Sequence, residues 1–140
     1  MNQNPDRGTV EALIRILAVA EGLPPDVIVR QCEAESSFRQ YEDGGGILTS
    51  KCGAMGLFQI VPATARELGI DPGRWHENVF GGLRYMGRLH RSFGGIRKAL
   101  AAYNWGPGNL NRAILQAEDQ WEAKLPAETS KYLKRILEDP

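Results

Sequence analysis

Cys32-Glu33-Ala34-Glu35-Ser36-Ser37-Phe38, followed by Gly53-Ala54-Met55-Gly56-Leu57-Phe58-Gln59-Ile60, is the pair of stretches on which the fold and the chemistry turn. At about 100° per residue, Val27, Ile28, Cys32, Ala34 and Phe38 share one side of a helix, and Glu35 falls within that arc. Glu33 falls on the opposite side with Arg30 and Ser37 and is expected in solvent. Desolvation disfavours the charged form of a carboxyl, so a Glu35 held among apolar groups suits a general acid working near neutral pH. The spacing alone also fits a core glutamate paired to an arginine, because structural ion pairs bury acids too.

The second stretch bears on that choice. Gly53 and Gly56 let backbone approach a neighbour closely. Met55, Leu57 and Phe58 are bulky and apolar, with Gln59 polar among them. Two readings stand for Gln59: a hydrogen-bonding amide on a groove floor, or a side chain capping backbone groups at a tight packing site. A third cluster, Ala101-Ala102-Tyr103-Asn104-Trp105-Gly106-Pro107-Gly108, offers the same choice. Tyr103 and Asn104 are either a core aromatic and a helix cap or the polar edge of a cleft.

The rest of the chain is helical in its spacing. Val10, Leu13, Ile14 and Leu17 recur at i, i+3, i+4, i+7, with Gly22 as the stop. Pro24-Pro25-Asp26 starts a helix to about Ser37. Residues 40–52, with Gly44-Gly45-Gly46, form a flexible loop or a short hairpin. Pro62 opens a helix through Leu68. Val79, Leu83, Met86, His90 and Phe93 trace a longer one that Gly94-Gly95 ends. Further helices follow at 96–103, at 110–117 and from Pro126 to Leu137. The expected fold is mainly α, one domain of about seven helices over residues 1–140, with residues 1–8 as a loose N-terminal extension.

Composition narrows the function. Of 140 residues, 42% are apolar, enough for a packed core. Lys+Arg and Asp+Glu both total 17, which argues against a dedicated nucleic-acid binder. The longest apolar stretch, 10–20, is interrupted by Glu11 and Arg15, so no membrane span is expected. Met1 to Asp6 is polar and carries no legible signal peptide. The chain therefore works inside a cell, leaves by another route, or has lost an export segment. Cys32, Cys52, His76 and His90 are not at metal-ligand spacing; neither a metal nor a cofactor is expected. The two cysteines allow one disulfide or two thiols. Arg84, Arg88 and Arg91 line one side of their helix and read as a solvated face.

Taken in order, these motifs resemble the soluble lytic transglycosylase catalytic domain of the lysozyme-like superfamily, whose fold is goose-type-lysozyme-like and helical. The resemblance rests on Glu35-Ser36-Ser37-Phe38, on residues 53–60 with Pro62-Ala63-Thr64-Ala65, on Ala101-Ala102-Tyr103-Asn104 with Gly106-Pro107-Gly108, and on Glu128-Thr129 followed by Tyr132. It spans about residues 24–137.

The resemblance implies a peptidoglycan-cleaving enzyme acting at the cell wall or periplasm as a monomer, on glycan strands and without a cofactor. Glu35 matches the family's acid/base. Gln59, Tyr103 and Glu128 match residues lining the sugar subsites, and Met55, Ser50, Asn104 and Tyr132 are carried over as substrate-binding positions. The implied reaction breaks the β-1,4 bond between N-acetylmuramic acid and N-acetylglucosamine and forms a 1,6-anhydro sugar. The interval between Glu35 and Gly53 is longer than in the simplest members. It carries Glu42 and Asp43, either of which as a second carboxylate would make the enzyme a hydrolase like goose-type lysozyme. A Cys32–Cys52 disulfide would pin that loop to the catalytic helix. A reading of another class is a non-catalytic glycan-binding or structural module of a phage tail or secretion apparatus, with partners to match.

Overall fold

The computed structural model describes residues 2–138. Among the described residues there are seven α-helices, one 3-10 helix and, of β structure, only isolated bridges. The chain divides into two compact units, Met1–Tyr85 and Met86–Pro140.

In the first unit, α1 spans Arg7–Glu21 and packs on α2, Pro25–Ser36. The Asp6 carboxylate accepts the Thr9 N–H at 3.0 Å and satisfies one free donor of the first turn. Gly22, at φ 72°, closes the helix, with its N–H shared between the Ala18 and Val19 carbonyls. Val10, Ile14 and Ala18 are buried; each large aliphatic so placed contributes about 2 kcal/mol of burial. Pro25 occupies the first turn of α2, where its missing N–H costs nothing. α3 is Pro62–Leu68 and α4 is Trp75–Phe93; the division between units falls within α4.

The N-terminal segment is not the loose extension expected from its composition. The Asn4 Oδ1 accepts the backbone N–H groups of Gln40 and Tyr41 at 2.7 and 2.8 Å, and its Nδ2 donates to the Tyr41 carbonyl at 3.3 Å. Residues 2–6 thus run beside the Gly-rich excursion. Glu33 is likewise not simply solvated: Arg7 Nη1 lies 3.1 Å from its carboxylate and the same guanidinium sits 4.3 Å above the Phe38 ring.

Residues 40–60 settle between the two sequence readings. They form ordered antiparallel turns: Tyr41 bridges Ile47, Thr49 bridges Met55, and Met55 bridges Ile60. The Glu42 N–H donates to the Gly46 carbonyl at 2.7 Å and closes the first turn.

In the second unit, α5 (Ile96–Trp105), α6 (Pro107–Ala117) and α7 (Ala127–Leu137) surround Leu100, Leu110, Leu133 and Ile136, all buried. The 3-10 helix Glu118–Lys124 packs on α6 and buries Trp121. Helical spacing did not foretell it, because its tighter turn removes the 3.6-residue period. Arg97 joins the elements electrostatically, bonded to Glu122 and, at 3.0 Å, to Glu138.

Candidate active site

α2 ends abruptly just after Glu35. Ser37 and Phe38 stand consecutively at φ 54° and 61°, a left-handed pair that is uncommon for residues with a Cβ. The Ser37 N–H still reaches the Glu33 carbonyl at 2.9 Å and the Arg39 N–H the Ser36 carbonyl at 3.1 Å. The reversal buries Phe38, swings Arg39 outward and drives Gln40 inward. Glu35 is left half-buried on the last turn of α2.

Glu35 opens onto a cavity of about 230 Å³ lined by Ala34, Glu35, Ser36, Ser37, Arg39, Leu48, Thr49, Ser50 and Gln59. Three residues expected at a site therefore meet: Glu35, Ser50 and Gln59. The Ser50 hydroxyl accepts the Ala54 N–H at 3.1 Å, which holds the turn that leads into Gly53. Gln59 sits at φ 49°, and its Nε2 donates to the Gly56 carbonyl at 3.0 Å and the Leu48 carbonyl at 3.4 Å. Gln59 therefore caps backbone carbonyls and is also part of the cavity lining.

Met55 does not line this cavity. It is half-buried, hydrogen-bonded to Ile60 in both directions at 3.0 Å, and builds the wall behind Gln59. Glu42 and Asp43 lie exposed at the tip of the Tyr41–Ile47 turn and are not among the lining residues.

Two buried amides hold that wall, and spacing did not single either out. The Gln40 Oε1 accepts the Leu57 N–H at 3.0 Å while its Nε2 donates to the Pro72 carbonyl at 3.0 Å. The Asn78 Oδ1 accepts the Phe58 N–H at 2.8 Å, and its Nδ2 donates to the carbonyls of Met55 (2.8 Å) and Pro72 (2.9 Å). Gly56 passes so close to both that a Cβ there would lie under 3.0 Å from each amide. Gly82 on α4 is required in the same way, because a Cβ would strike the Phe58 ring. Arg39, Leu48 and Thr49 line the cavity itself and were not singled out by sequence reasoning either; the place of Arg39 follows from the left-handed turn before it.

Cys32 and Cys52 are free thiols, so the disulfide considered from sequence is not formed in this structure. Cys32 is fully buried with its Sγ directed to the Leu57 carbonyl at 3.7 Å, whereas Cys52 is exposed on its turn. Burial pushes the Cys32 thiol well above its ordinary range.

The second unit gathers the remaining motif residues. The Thr129 hydroxyl donates to the Asn104 Oδ1 at 2.8 Å, which ties the first turn of α7 to the end of α5. Tyr103, Asn104 and Tyr132 are half-buried, and Glu128 is exposed. Arg84, Arg88 and Arg91 are exposed on α4. Among the described residues no helix is long and apolar enough to cross a membrane, and no group of three or more His, Cys, Asp or Glu could hold a metal ion.

The acid at the end of α2 and the amide-bearing turn beside it are set in a mainly helical fold, and comparison with known proteins gives the family. The transglycosylase SLT domain model matches residues 12–125, and the chain belongs to that family. It is 32% identical over 118 residues to the transglycosylase of Enterobacteria phage PRD1, covering 81% of this chain and 38% of that protein. It is 32% identical over 103 residues to membrane-bound lytic murein transglycosylase D of Escherichia coli K12, covering 64% of this chain and 23% of that one. The chain therefore spans well under half the length of these relatives. Among solved structures it is similar to an inactive Glu-to-Gln variant of lytic transglycosylase Slt from Pseudomonas aeruginosa, with TM-score 0.74, 28% identity, and coverage of 90% of this chain and 22% of that one. The 70 kDa soluble lytic transglycosylase of Escherichia coli shares the fold, with TM-score 0.75 at 24% identity and the same coverage.

Proposed function

We propose that this chain is a peptidoglycan lytic transglycosylase that cleaves the β-1,4 bond between N-acetylmuramic acid and N-acetylglucosamine, with Glu35 as acid and then base. The observation that carries the reading is that Glu35, Ser50 and Gln59, taken from two separate motifs, line one cavity. Family membership and the names of the relatives support the substrate class.

In the proposed reaction the Glu35 carboxyl gives its proton to the glycosidic oxygen as the bond to the muramyl C1 breaks. The carboxylate so formed takes the proton of the muramyl C6 hydroxyl, and that oxygen bonds to C1. The products are a 1,6-anhydro-muramyl end and a free sugar hydroxyl, with no water consumed. Ordinary glycosidases need a second carboxylate about 5–10 Å from the first. Here the substrate supplies the nucleophile, which fits a cavity whose lining contains one acid. Gln59 and Ser50 are assigned to sugar contacts in this cavity and Met55 to the wall behind it. Tyr103, Asn104, Glu128 and Tyr132 are assigned to sugar subsites by their motifs. Action at the cell wall follows from the substrate.

The exposed positions of Glu42 and Asp43 favour the transglycosylase over the hydrolase reading. The Slt structure with Gln in place of Glu is described as inactive, and Glu35→Gln is the corresponding test here. Wild-type protein should clear a turbid suspension of cell walls and the Glu35→Gln protein should not. Equal clearing by both would remove Glu35 from the chemistry. No clearing by either, with glycan still bound, would favour a non-catalytic binding module.

A further inference from the structure

Gln40 is spent entirely on the architecture of the cavity. Its N–H donates to Asn4, its carbonyl accepts the Leu48 N–H at 2.9 Å, its Oε1 accepts the Leu57 N–H and its Nε2 donates to the Pro72 carbonyl. All four polar groups of one fully buried residue are engaged. Two of the four bonds, to Leu48 and Leu57, reach the excursion and the turn that carries Gln59, and the residue itself follows directly on the left-handed turn that ends the Glu35 helix.

The consequence falls on Gln59. Leu48 is held by Gln40 through its N–H and offers its carbonyl both to the Gly56 N–H, at 2.8 Å, and to the Gln59 Nε2. Gly56, whose neighbour Leu57 is bonded to Gln40, offers the second carbonyl to the same Nε2. A primary amide whose nitrogen lies against two carbonyls has its orientation decided, since the reverse would set oxygen against oxygen. The nitrogen faces the backbone, and the Oε1, which takes no hydrogen bond from a described residue, is left for a ligand.

We propose that Gln40 is a positioning residue that fixes Gln59 as an oriented hydrogen-bond acceptor in the Glu35 cavity, so that this wall selects a substrate group carrying an N–H or O–H donor. The functional half rests on the proposed reading of the cavity as a sugar site; the positional half does not.

The test uses the full chain, labelled with ¹⁵N. In wild-type protein the two Gln59 side-chain amide protons should be well dispersed and slow to exchange. In Gln40→Leu they should collapse to solvent-exposed values while signals of α1 keep their places. Gln40→Glu supplies a second variant that is close in shape. Its neutral carboxyl can accept from Leu57 and donate to Pro72, whereas its ionised form opposes the Pro72 carbonyl. The wild-type Gln59 pattern should therefore be present at low pH and vanish as the introduced carboxyl ionises.

On cell walls, Gln40→Leu should lower kcat about tenfold or more. It should cost almost nothing further in a Gln59→Ala background, because the two act through one group. Gln59 signals unmoved in both Gln40 variants would overturn the proposal, as would kcat losses that multiply in the double variant. Wild-type protein that releases no wall fragments would instead defeat the proposed function, with the ¹⁵N measurement still deciding the role of Gln40.

Discussion

Glu35 and Gln59 line the same cavity, one from the last turn of α2 and the other from a left-handed position in the turn at 55–60. Neither position is a default of the local sequence. α2 must stop at Ser36, with two left-handed residues behind it, to leave the acid at an opening rather than inside a longer helix. Gln59 must accept φ 49° to put its nitrogen against two carbonyls. Strain of this kind costs about 1–3 kcal/mol per residue, and it persists where surrounding bonds outweigh it. Gln40 and Asn78 supply those bonds.

Replacing Gln59 by Glu exchanges its amide nitrogen for an oxygen that faces the Leu48 and Gly56 carbonyls. At neutral pH the variant should be destabilised by about 1–3 kcal/mol. The introduced carboxyl has its folded-state pKa raised, because only the protonated form can donate, so the lost stability returns as pH falls and disappears again as pH rises. Urea unfolding at several pH values checks this; a deficit independent of pH would show that the carbonyl contacts are not made.

Gly56→Ala places a methyl under 3.0 Å from both the Gln40 and the Asn78 amide, at a backbone φ of 72°. Neither amide can retreat without breaking hydrogen bonds to Leu57 or Met55. Crowding and left-handed strain together should cost about 3 kcal/mol or more, read as a lower urea midpoint. A loss below about 1 kcal/mol would mean that this wall is softer than its bonding indicates.

The two thiols should differ sharply. Cys52 is exposed, whereas Cys32 is buried and held in its protonated form, and the thiolate is the reactive species. An aromatic disulfide reagent at pH 8 should titrate one thiol in folded protein and two after guanidinium is added. Two fast thiols in the folded protein, or none in the unfolded, would contradict the structure.

Arg15 Nη1 bonds the Asp26 carboxylate at 2.7 Å and links α1 to the first turn of α2. That hydrogen bond, with the arginine charge, lowers the Asp26 pKa from its ordinary 3.8. A lowered carboxyl pKa stabilises the fold above the unfolded-state value, and the contribution fades as pH falls through the folded one. Asp26→Asn should therefore lower the melting temperature slightly at pH 7, and the two proteins should converge in strong acid. Both groups are exposed, so high salt should shrink the difference as well. A gap that widens on acidification would reverse the assignment.

Much of this was legible in the sequence wherever one residue's chemistry dictates one outcome. Pro25 and Pro62 open helices and Gly22 and Gly94 end them, because a missing N–H and a free φ have few other uses. Glu35 stood out as an acid in an apolar arc. What the sequence hid depends on contacts between distant segments. The fit of Gln40 and Asn78 to backbone groups of the 55–58 turn leaves no periodic trace, and amide side chains ordinarily read as surface. The ordered 40–60 excursion has no strand alternation, because it is held by isolated bridges and by Asn4. Glu33 was read as solvated because its partner, Arg7, lies on another helix.

The central claim is that Glu35 serves alone, with the sugar supplying its own nucleophile, and mass spectrometry of digested peptidoglycan tests it most directly. Wild-type protein should release muramyl products ending in the 1,6-anhydro ring, one water lighter than reducing ends, and Glu35→Gln protein should release none. Reducing-end muramyl products without the anhydro mass would contradict it and point to a water-using hydrolase.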